Sequence, residues 1–278
     1  CRTMASARLP RPRALWLQLR NVPILRMLQL EEALFRTDRR SWFITNEWDS
    51  AQPAAEALVL GISGRPEQML HVEVAQRSGI PVIKRFTGGG TVVVDSDTLF
   101  ASFIVAEGAL PHVKPYPEPM LAWSGELYAD ALQRCGVRNF AVRANDYCLH
   151  ADGVDLKFGG NAQSISGKRW LHHTSLLWDY APARMALLQM PARQPEYRRQ
   201  RPHESFVQGL GASLPCRDAF GRALVAAAGA RFELEQVQIE EALPALEEKH
   251  RSVTCLVDLA ATTAAPSGGD KSGTGPVP

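Results

Sequence analysis

The sequence predicts an α+β domain built on a mainly antiparallel sheet with helices packed against it. Three observations carry this reading. Strand-like and helix-like segments mix without strict alternation, which disfavours a doubly wound parallel sheet. No segment recurs at a fixed period, which excludes a solenoid or propeller. In the second half, turn signals at "ADG" and "SGK" separate successive strand-like runs, the pattern of antiparallel hairpins. At 278 residues, with 45% hydrophobic and 22% charged residues, the chain can bury a core as one globular unit.

The elements follow in order. "VPILRMLQLEEALFRTDRR" has apolar residues at Ile24, Met27, Leu28, Leu34 and Phe35, one face of a helix. "SWFITNEW" and "EALVLGIS" read as strands. "RPEQMLHVEVAQRSG" reads as a helix, with Pro66 suited to its first turn and Gly79 to its C-terminal cap. "IPVIKRF" and "TVVVDSDTLFASFIVAE" read as strands flanking a run of three glycines. Proline-rich "LPHVKPYPEPM" leads into the helix "LAWSGELYADALQRCG". The stretch from "FAVRANDYCLH" to "TSLLWDY" reads as successive strands, and residues 183–261 as helices and loops. "TTAAPSGGDKSGTGPVP" has the composition of a disordered tail. The resulting division is an N-terminal extension over 1–16, one domain with a helical C-terminal portion over 17–261, and the tail over 262–278.

Composition narrows the function classes. Lys plus Arg number 31 against 29 Asp plus Glu, a balance that argues against nucleic acid as the main partner. No apolar run approaches the ~20 residues that cross a bilayer, so no membrane partner is expected. Five scattered cysteines without a CxxC pair disfavour a disulfide framework or structural zinc and favour a reducing compartment. Six arginines and no acid in the first thirty residues are either a ragged N-terminus or an organelle transit signal. Mitochondrial and cytoplasmic locations both stay open.

Gly88-Gly89-Gly90 lies between two strands, where two glycines would already make a hairpin turn. It is neither a phosphate loop, since no Lys-Ser pair follows, nor a dinucleotide fingerprint, since a strand follows where that motif needs a helix. Arg85 beside free backbone N–H groups makes a seat for an anion. Lys157, ahead of Gly159-Gly160-Asn161-Ala162, can aim its ammonium at a phosphate or carbonyl without obstruction.

Together, "KRFTGGGTVVVDSDTLFASFI", "AND", "KFGGNAQSI" and "RWLHHTSLLWDY" resemble the lipoate-protein ligase A and biotin/lipoate ligase catalytic domain family. The likeness is strongest to the plant-type eukaryotic lipoate-protein ligase A branch. All four motifs fall in the family's order, over roughly residues 20 to 210. The resemblance implies an α+β sandwich and an ATP-dependent ligase that forms lipoyl-adenylate and passes the acyl group to a carrier lysine. By position, Arg85, Thr87, Gly88, Gly89, Gly90, Thr91, Val92 and Val93 would hold the adenylate's phosphate and sugar. Asn145 and Asp146 would sit beside the nucleotide. Lys157 would contact phosphate and acyl carbonyl as the catalytic residue, next to Gly160, Asn161 and Ala162. ATP with Mg2+ and lipoate would be the substrates, and no metal ligand is expected from the protein. The partners would be lipoyl domains of 2-oxo acid dehydrogenase acyltransferase subunits and the glycine cleavage H protein, with a separate accessory domain as a further candidate.

Three positions depart from the family pattern: Phe86 replaces its second arginine, Gly159 a serine, and Thr174-Ser175 a Gly-Thr pair. Two alternatives therefore stand beside the ligase. One is a lipoyl/octanoyltransferase using a preformed activated acyl donor, and the other a non-catalytic lipoyl-binding protein. Cys148 is the candidate thioester nucleophile of the transferase reading, but the family's cysteine falls earlier, where "FAVRAND" has none. His172 and His173, adjacent on a strand, point to opposite faces and do not form a metal pair. One packed and one surface histidine are expected.

Overall fold

The computed structural model describes residues 10–47 and 56–263. Among the described residues twelve strands form: β1 (Arg13–Arg20), β2 (Trp42–Glu47), β3 (Ala57–Leu60), β4 (Val82–Lys84), β5 (Val92–Val94) and β6 (Thr98–Val105), then β7 (Phe140–Arg143), β8 (Asp146–Ala151), β9 (Val154–Ser166), β10 (Arg169–Leu177), β11 (Glu233–Val237) and β12 (Cys255–Val257). The helices that position the site are α1 (Ile24–Thr37), the short α2 (Pro66–Met69) and α3 (Val72–Ser78), and α4 (Pro117–Arg134). They continue with α5 (Pro182–Met185), α6 (His203–Phe206) and α7 (Arg217–Gly229), and end with α8 (Pro244–Glu247) and α9 (Leu259–Thr263).

Two sheets replace the single one expected. The larger has the order β11-β1-β2-β6-β10-β9-β8-β7 and the smaller β12-β4-β3-β5. Among the strands described, the β1–β11, β1–β2 and β3–β4 pairs are parallel and the others antiparallel, so both sheets are mainly antiparallel. One face of the large sheet packs on α4 and α7 through Phe103, Trp123, Tyr128, Trp170, Phe220 and Phe232. The other packs on α1 and the small sheet through Leu28, Phe35, Trp42, Val59, Phe86 and Val94. α1 is thus held between layers, which is why even its Glu31 and Glu32 are buried.

Several elements differ from the sequence reading, each for a local reason. β1 begins at Arg13, inside the residues read as an extension, and its buried Leu17 and Leu19 place it in the core. The helix expected over "RPEQMLHVEVAQRSG" breaks at Leu70, which bridges Leu188 while the His71 N–H donates to the Leu187 carbonyl at 3.0 Å. Pro66 in the first turn of α2 and left-handed Gly79 capping α3 stand as expected. The strand after the glycines divides into β5 and β6 at Asp95, whose Oδ1 accepts from the Asp97 N–H at 2.9 Å in an Asx turn. The C-terminal portion is not only helical, because β11 joins β1 and β12 joins β4. Residues 1–9, Trp48 and the tail from 264 onward lie outside the described residues.

Buried Glu32 explains the last strand. Its carboxylate accepts from the backbone N–H groups of Val253 and Thr254 and from the Arg36 guanidinium. These bonds deliver the chain to β12, which pairs with β4 directly upstream of Arg85. The C-terminal segment thereby completes the sheet that carries the glycine run.

Candidate active site

β4 ends at Lys84, and the next residue turns inward. Arg85 is only 4% exposed. Its Nη2 donates to the carbonyls of Gly88 and Gly90 at 2.7 and 2.9 Å, and its Nε to Thr87 Oγ1 at 3.0 Å. Burial pushes the guanidinium pKa down to about 10, against the pull of Glu31. Arg85 is therefore a brace beneath the glycine run rather than the free cation the sequence suggested. Its fork gathers the loop's carbonyls, and among the described residues the N–H groups of Gly88, Gly89 and Gly90 donate to no protein acceptor. An array of free N–H groups around a buried cation is an anion seat.

The middle glycine is required by geometry. Gly89 has φ of +98°, and a Cβ there would sit 2.8 Å from Arg85 Nη2. Gly61 on the adjoining turn must also lack a side chain, since its Cβ would fall 2.3 Å from the Gly89 carbonyl oxygen. Gly88 and Gly90 face open space.

The opposite wall is the β8–β9 hairpin. Its register slips at Tyr147/Cys148, so Cys148 pairs with Lys157 and Tyr147 with Gly159. The bulged residue, Phe158, is driven into the core, and Lys157 stays on the cleft side. Lys157 Nζ lies 2.6 Å from Asp146 Oδ1, with the lysine side chain 29% exposed. Asn145 occupies the β7–β8 turn, where its carbonyl accepts from Asn161 Nδ2 at 2.7 Å.

These walls enclose a cleft of about 320 Å³. Of the predicted site residues, Arg85, Gly88, Gly89, Gly90, Thr91, Val92, Asn145, Asp146, Lys157, Gly160, Asn161 and Ala162 line it. Thr87 does not, being buried against Arg85. Val93 does not either; it lines a second, larger cavity of about 890 Å³. That cavity lies against α2, the chain around α5 and α6, and Met190, Arg193 and Phe206. Gly90, Thr91, Val92, Lys157, Gly160 and Ser175 belong to both cavities, so the two meet at Lys157.

Two groups of the first cleft escaped the sequence reading. Ile24, Leu28, Val59, Val94 and Phe100 give it an apolar depth. His173 lines it, its Nδ1 lying 3.0 Å from both oxygens of Glu31 and from Ser102 Oγ. The expectation of a surface histidine is corrected: His172 and His173 are both buried, on opposite faces of β10. His172 faces the core, with Nε2 2.8 Å from Tyr147 Oη and Nδ1 3.2 Å from Gln163 Nε2. Burial, with His173 next in weight, pushes its pKa down to about 3. The available signal for Glu31 was an acid on the apolar face of α1, a position that demands a buried partner.

The departures from the motif pattern also find places. Phe86 turns into the core against Phe35, ring centroids 6.1 Å apart, and stands clear of the cleft. A Cβ on Gly159 would fall 2.6 Å from Leu176 Cδ2, so Leu176 fills that volume here. Cys148 is buried in β8, and burial pushes its thiol up to about 11.

The lipoyl protein ligase A/B catalytic domain matches residues 23–225. The chain belongs to that family. An inactive lipoate–protein ligase 2 of Plasmodium falciparum (isolate 3D7) is 31% identical over 183 residues, covering 56% of this chain and 47% of that protein. The lipoate-protein ligase LplJ of Bacillus subtilis (strain 168) is 28% identical over 127 residues, covering 45% of this chain and 35% of its own length. The chain thus spans about half or less of the curated relatives it matches. Among solved structures, the bipartite lipoate protein ligase of Thermoplasma acidophilum, studied with its E2 lipoyl domain, superposes with a TM-score of 0.67 at 18% identity. That match covers 86% of this chain and 91% of the other. A lipoate-protein ligase A bound with ATP gives 0.66 at 17% identity, covering 85% and 93%. The α+β lipoate ligase fold is therefore shared across the family's catalytic domain.

Proposed function

We propose that the chain is an ATP-dependent lipoate-protein ligase that makes lipoyl-adenylate and transfers the lipoyl group to a carrier lysine. One observation carries this reading: two cavities of different size meet at a single lysine beside an unpaired run of backbone N–H groups. An adenylating enzyme needs that arrangement, because two substrates must be brought together at one reacting phosphorus. The apolar depth between α1 and β10 suits the acyl chain, and the larger cavity has the volume for a nucleotide, with Arg193, Arg198 and His203 on its otherwise mostly apolar wall.

In the first step the acid's carboxylate oxygen attacks the α-phosphorus, the new O–P bond forms, and pyrophosphate leaves with the electron pair. Lys157 leaves Asp146 for the phosphate and offsets the charge that builds there, with the glycine N–H groups as further donors. In the second step the carrier amine attacks the acyl carbonyl, an amide forms, and AMP departs. The same ammonium and N–H groups then stabilise the oxyanion. Magnesium would accompany the triphosphate as its counter-ion. Among the described residues no three His, Cys, Asp or Glu side chains gather into an ion cage. Asp146, on the cleft wall, already gives its oxygens to Lys157 and Tyr197.

The acceptor in this reading is a lipoyl domain of a 2-oxo acid dehydrogenase or the glycine cleavage H protein, with an accessory domain supplied separately. The support is the archaeal neighbour of the same fold, described as bipartite and with an E2 lipoyl domain. The thioester-transferase alternative is disfavoured by Cys148, which is buried and held protonated at neutral pH. The P. falciparum relative named as inactive keeps the non-catalytic reading in view. Against it stand the braced loop and Lys157 on an open wall. The deciding measurement is pyrophosphate release from ATP with free lipoate, with and without an apo lipoyl domain. Release that depends on lipoate is expected. Octanoyl transfer from a carrier protein without ATP would overturn the ligase reading, and neither activity would favour the non-catalytic one.

A further inference from the structure

After β10 the chain runs through "EYRRQRPHESFV", a basic stretch to which the motif pattern gives no role. The structure ties this stretch to the hairpin around Lys157 at three points. Tyr197 Oη donates to Asp146 Oδ2 at 2.7 Å and accepts from Cys148 Sγ at 3.5 Å. Arg201 Nη2 donates to the Asp155 carbonyl at 2.8 Å, and the Gln208 N–H to the Lys157 carbonyl at 2.8 Å. Val207 also bridges Lys157 in parallel pairing. The tyrosine ring is fixed independently of its hydroxyl, since it packs on Phe206 with centroids 5.4 Å apart. Arg198 and Arg201 close over that same phenylalanine at 4.4 and 5.3 Å.

The consequence lies in how the carboxylate divides its oxygens. With Oδ2 held by Tyr197, only Oδ1 is presented to Lys157, at 2.6 Å. The lysine contact is therefore single and directional. A carboxylate without the phenol would be free to turn, and the flexible four-carbon stem of Lys157 would follow it. Burial and the Asp146 charge push the Tyr197 phenol well above its usual range, so it remains a donor wherever the carboxylate is ionised.

We propose that Tyr197 is a positioning residue for Lys157, acting through Asp146. The inference rests on the ligase reading only for the reaction in which Lys157 is used. The fitting variant is Tyr197→Phe, which keeps the ring on Phe206 and deletes the one oxygen in question. Its test is a double-mutant cycle with Asp146→Ala on the full chain, read in two ways. The first readout is pyrophosphate release with ATP and lipoate. Tyr197→Phe should lower kcat roughly 10- to 100-fold, the cost of a misplaced catalytic group, while KM for ATP holds. Added to Asp146→Ala, it should change kcat by less than about twofold. The second readout is the urea midpoint of the same four proteins, which needs no activity. There the hydroxyl should matter more when Asp146 is present than in Asp146→Ala, where only the weak 3.5 Å contact from Cys148 Sγ is left to it. Equal losses in both backgrounds, or wild-type kcat in Tyr197→Phe, would overturn the proposal. A wild-type chain that releases no pyrophosphate sinks the ligase reading instead. The urea cycle then decides alone, additive shifts refuting the latch and coupled shifts sustaining it.

Discussion

Arg85 and Lys157 stand on facing walls of one cleft, and the fold treats the two cations in opposite ways. Arg85 is buried, and its donors are spent on Thr87, Gly88, Gly90 and Val59. Lys157 is partly exposed and makes one ion pair, to a carboxylate whose other oxygen is engaged elsewhere. The sequence presents both as positive charges beside glycines. The structure separates a cation that shapes the backbone from one that can be handed to a substrate. The distinction matters because each makes a different failure when removed.

The largest expected effect belongs to Lys157. Losing a preorganised donor to a developing charge costs about 10²–10³ in rate. Lys157→Ala should slow both adenylate formation and transfer from synthetic lipoyl-adenylate by that factor. Its melting temperature should stay near wild type, because a partly exposed ion pair contributes only about 0–1 kcal/mol. Lys157→Arg should rescue poorly, since a planar fork does not replace a compact ammonium between glycines. Single-turnover transfer together with a melting curve separates the outcomes. Unimpaired transfer would remove Lys157 from the chemistry, and a collapsed melting curve would place it with Arg85 as a structural cation.

Arg85 comes next and should fail the other way. Arg85→Met keeps the length of the side chain but strands the carbonyls that the guanidinium gathers. Unpaired acceptors cost about 1–3 kcal/mol where they are buried, as at Thr87 and Val59, and less at the part-buried carbonyls of Gly88 and Gly90, partly offset because a buried charge is no longer desolvated. Destabilisation of about 1–2 kcal/mol is expected. Activity should fall with it, through a loop whose N–H groups no longer converge. Chemical denaturation measures the first, and lipoate-dependent pyrophosphate release at a temperature where the variant is folded measures the second. A variant as stable as wild type but unable to bind ATP would make Arg85 a substrate ligand and dissolve the comparison.

That contrast also marks how far the sequence could be read. The glycine run and Lys157 were legible as candidates because a few neighbours in the chain mark them, whereas Asn145 and Asp146 came only from the family resemblance. The direction of Arg85 was not, since it depends on carbonyls that lie three and five residues on and on Val59 across the sheet. β1 carried its signal in the alternation of Leu15, Leu17 and Leu19, but those residues lie in the arginine-rich N-terminal stretch, whose charge dominated the reading. β11 and β12 were illegible for a different reason. Each is short and mostly exposed, and exists by pairing with a strand far back in the chain. Glu31 and Glu32 were visible as acids on an apolar helix face, yet their partners, His173 and the 253–254 backbone, lie more than a hundred residues away. Long-range pairing is what periodicity does not encode.

The smallest effect tests the same division across β10, where two adjacent histidines repeat it. His173 faces the cleft with its Nδ1 on Glu31, and His172 faces the core between Gln163 and Tyr147. The chain of donors fixes the state of His172: Gln163 donates to Nδ1, Nε2–H donates to Tyr147 Oη, and Tyr147 donates to Ser124 Oγ at 2.6 Å. The bond from Gln163 to Nδ1 requires a neutral ring, and burial lowers its pKa from 6.5 to about 3. The unfolded chain protonates this histidine near pH 6.5 while the folded one does not, so the unfolded state binds the extra proton. Above that pH the group contributes no pH dependence. As pH falls toward about 3, folding stability is lost at up to about 1.4 kcal/mol per pH unit. Between pH 6.5 and 5 the loss assignable to His172 is therefore about 2 kcal/mol at most. His172→Gln should flatten that part of the curve even if it lowers stability at pH 7.5. Urea unfolding of both proteins at pH 7.5, 6 and 5 reads the difference in slope. Parallel curves would show that the buried ring accepts its proton without penalty. The core side of β10 would then be as available to solvent protons as the cleft side, contrary to the contrast drawn from Arg85 and Lys157.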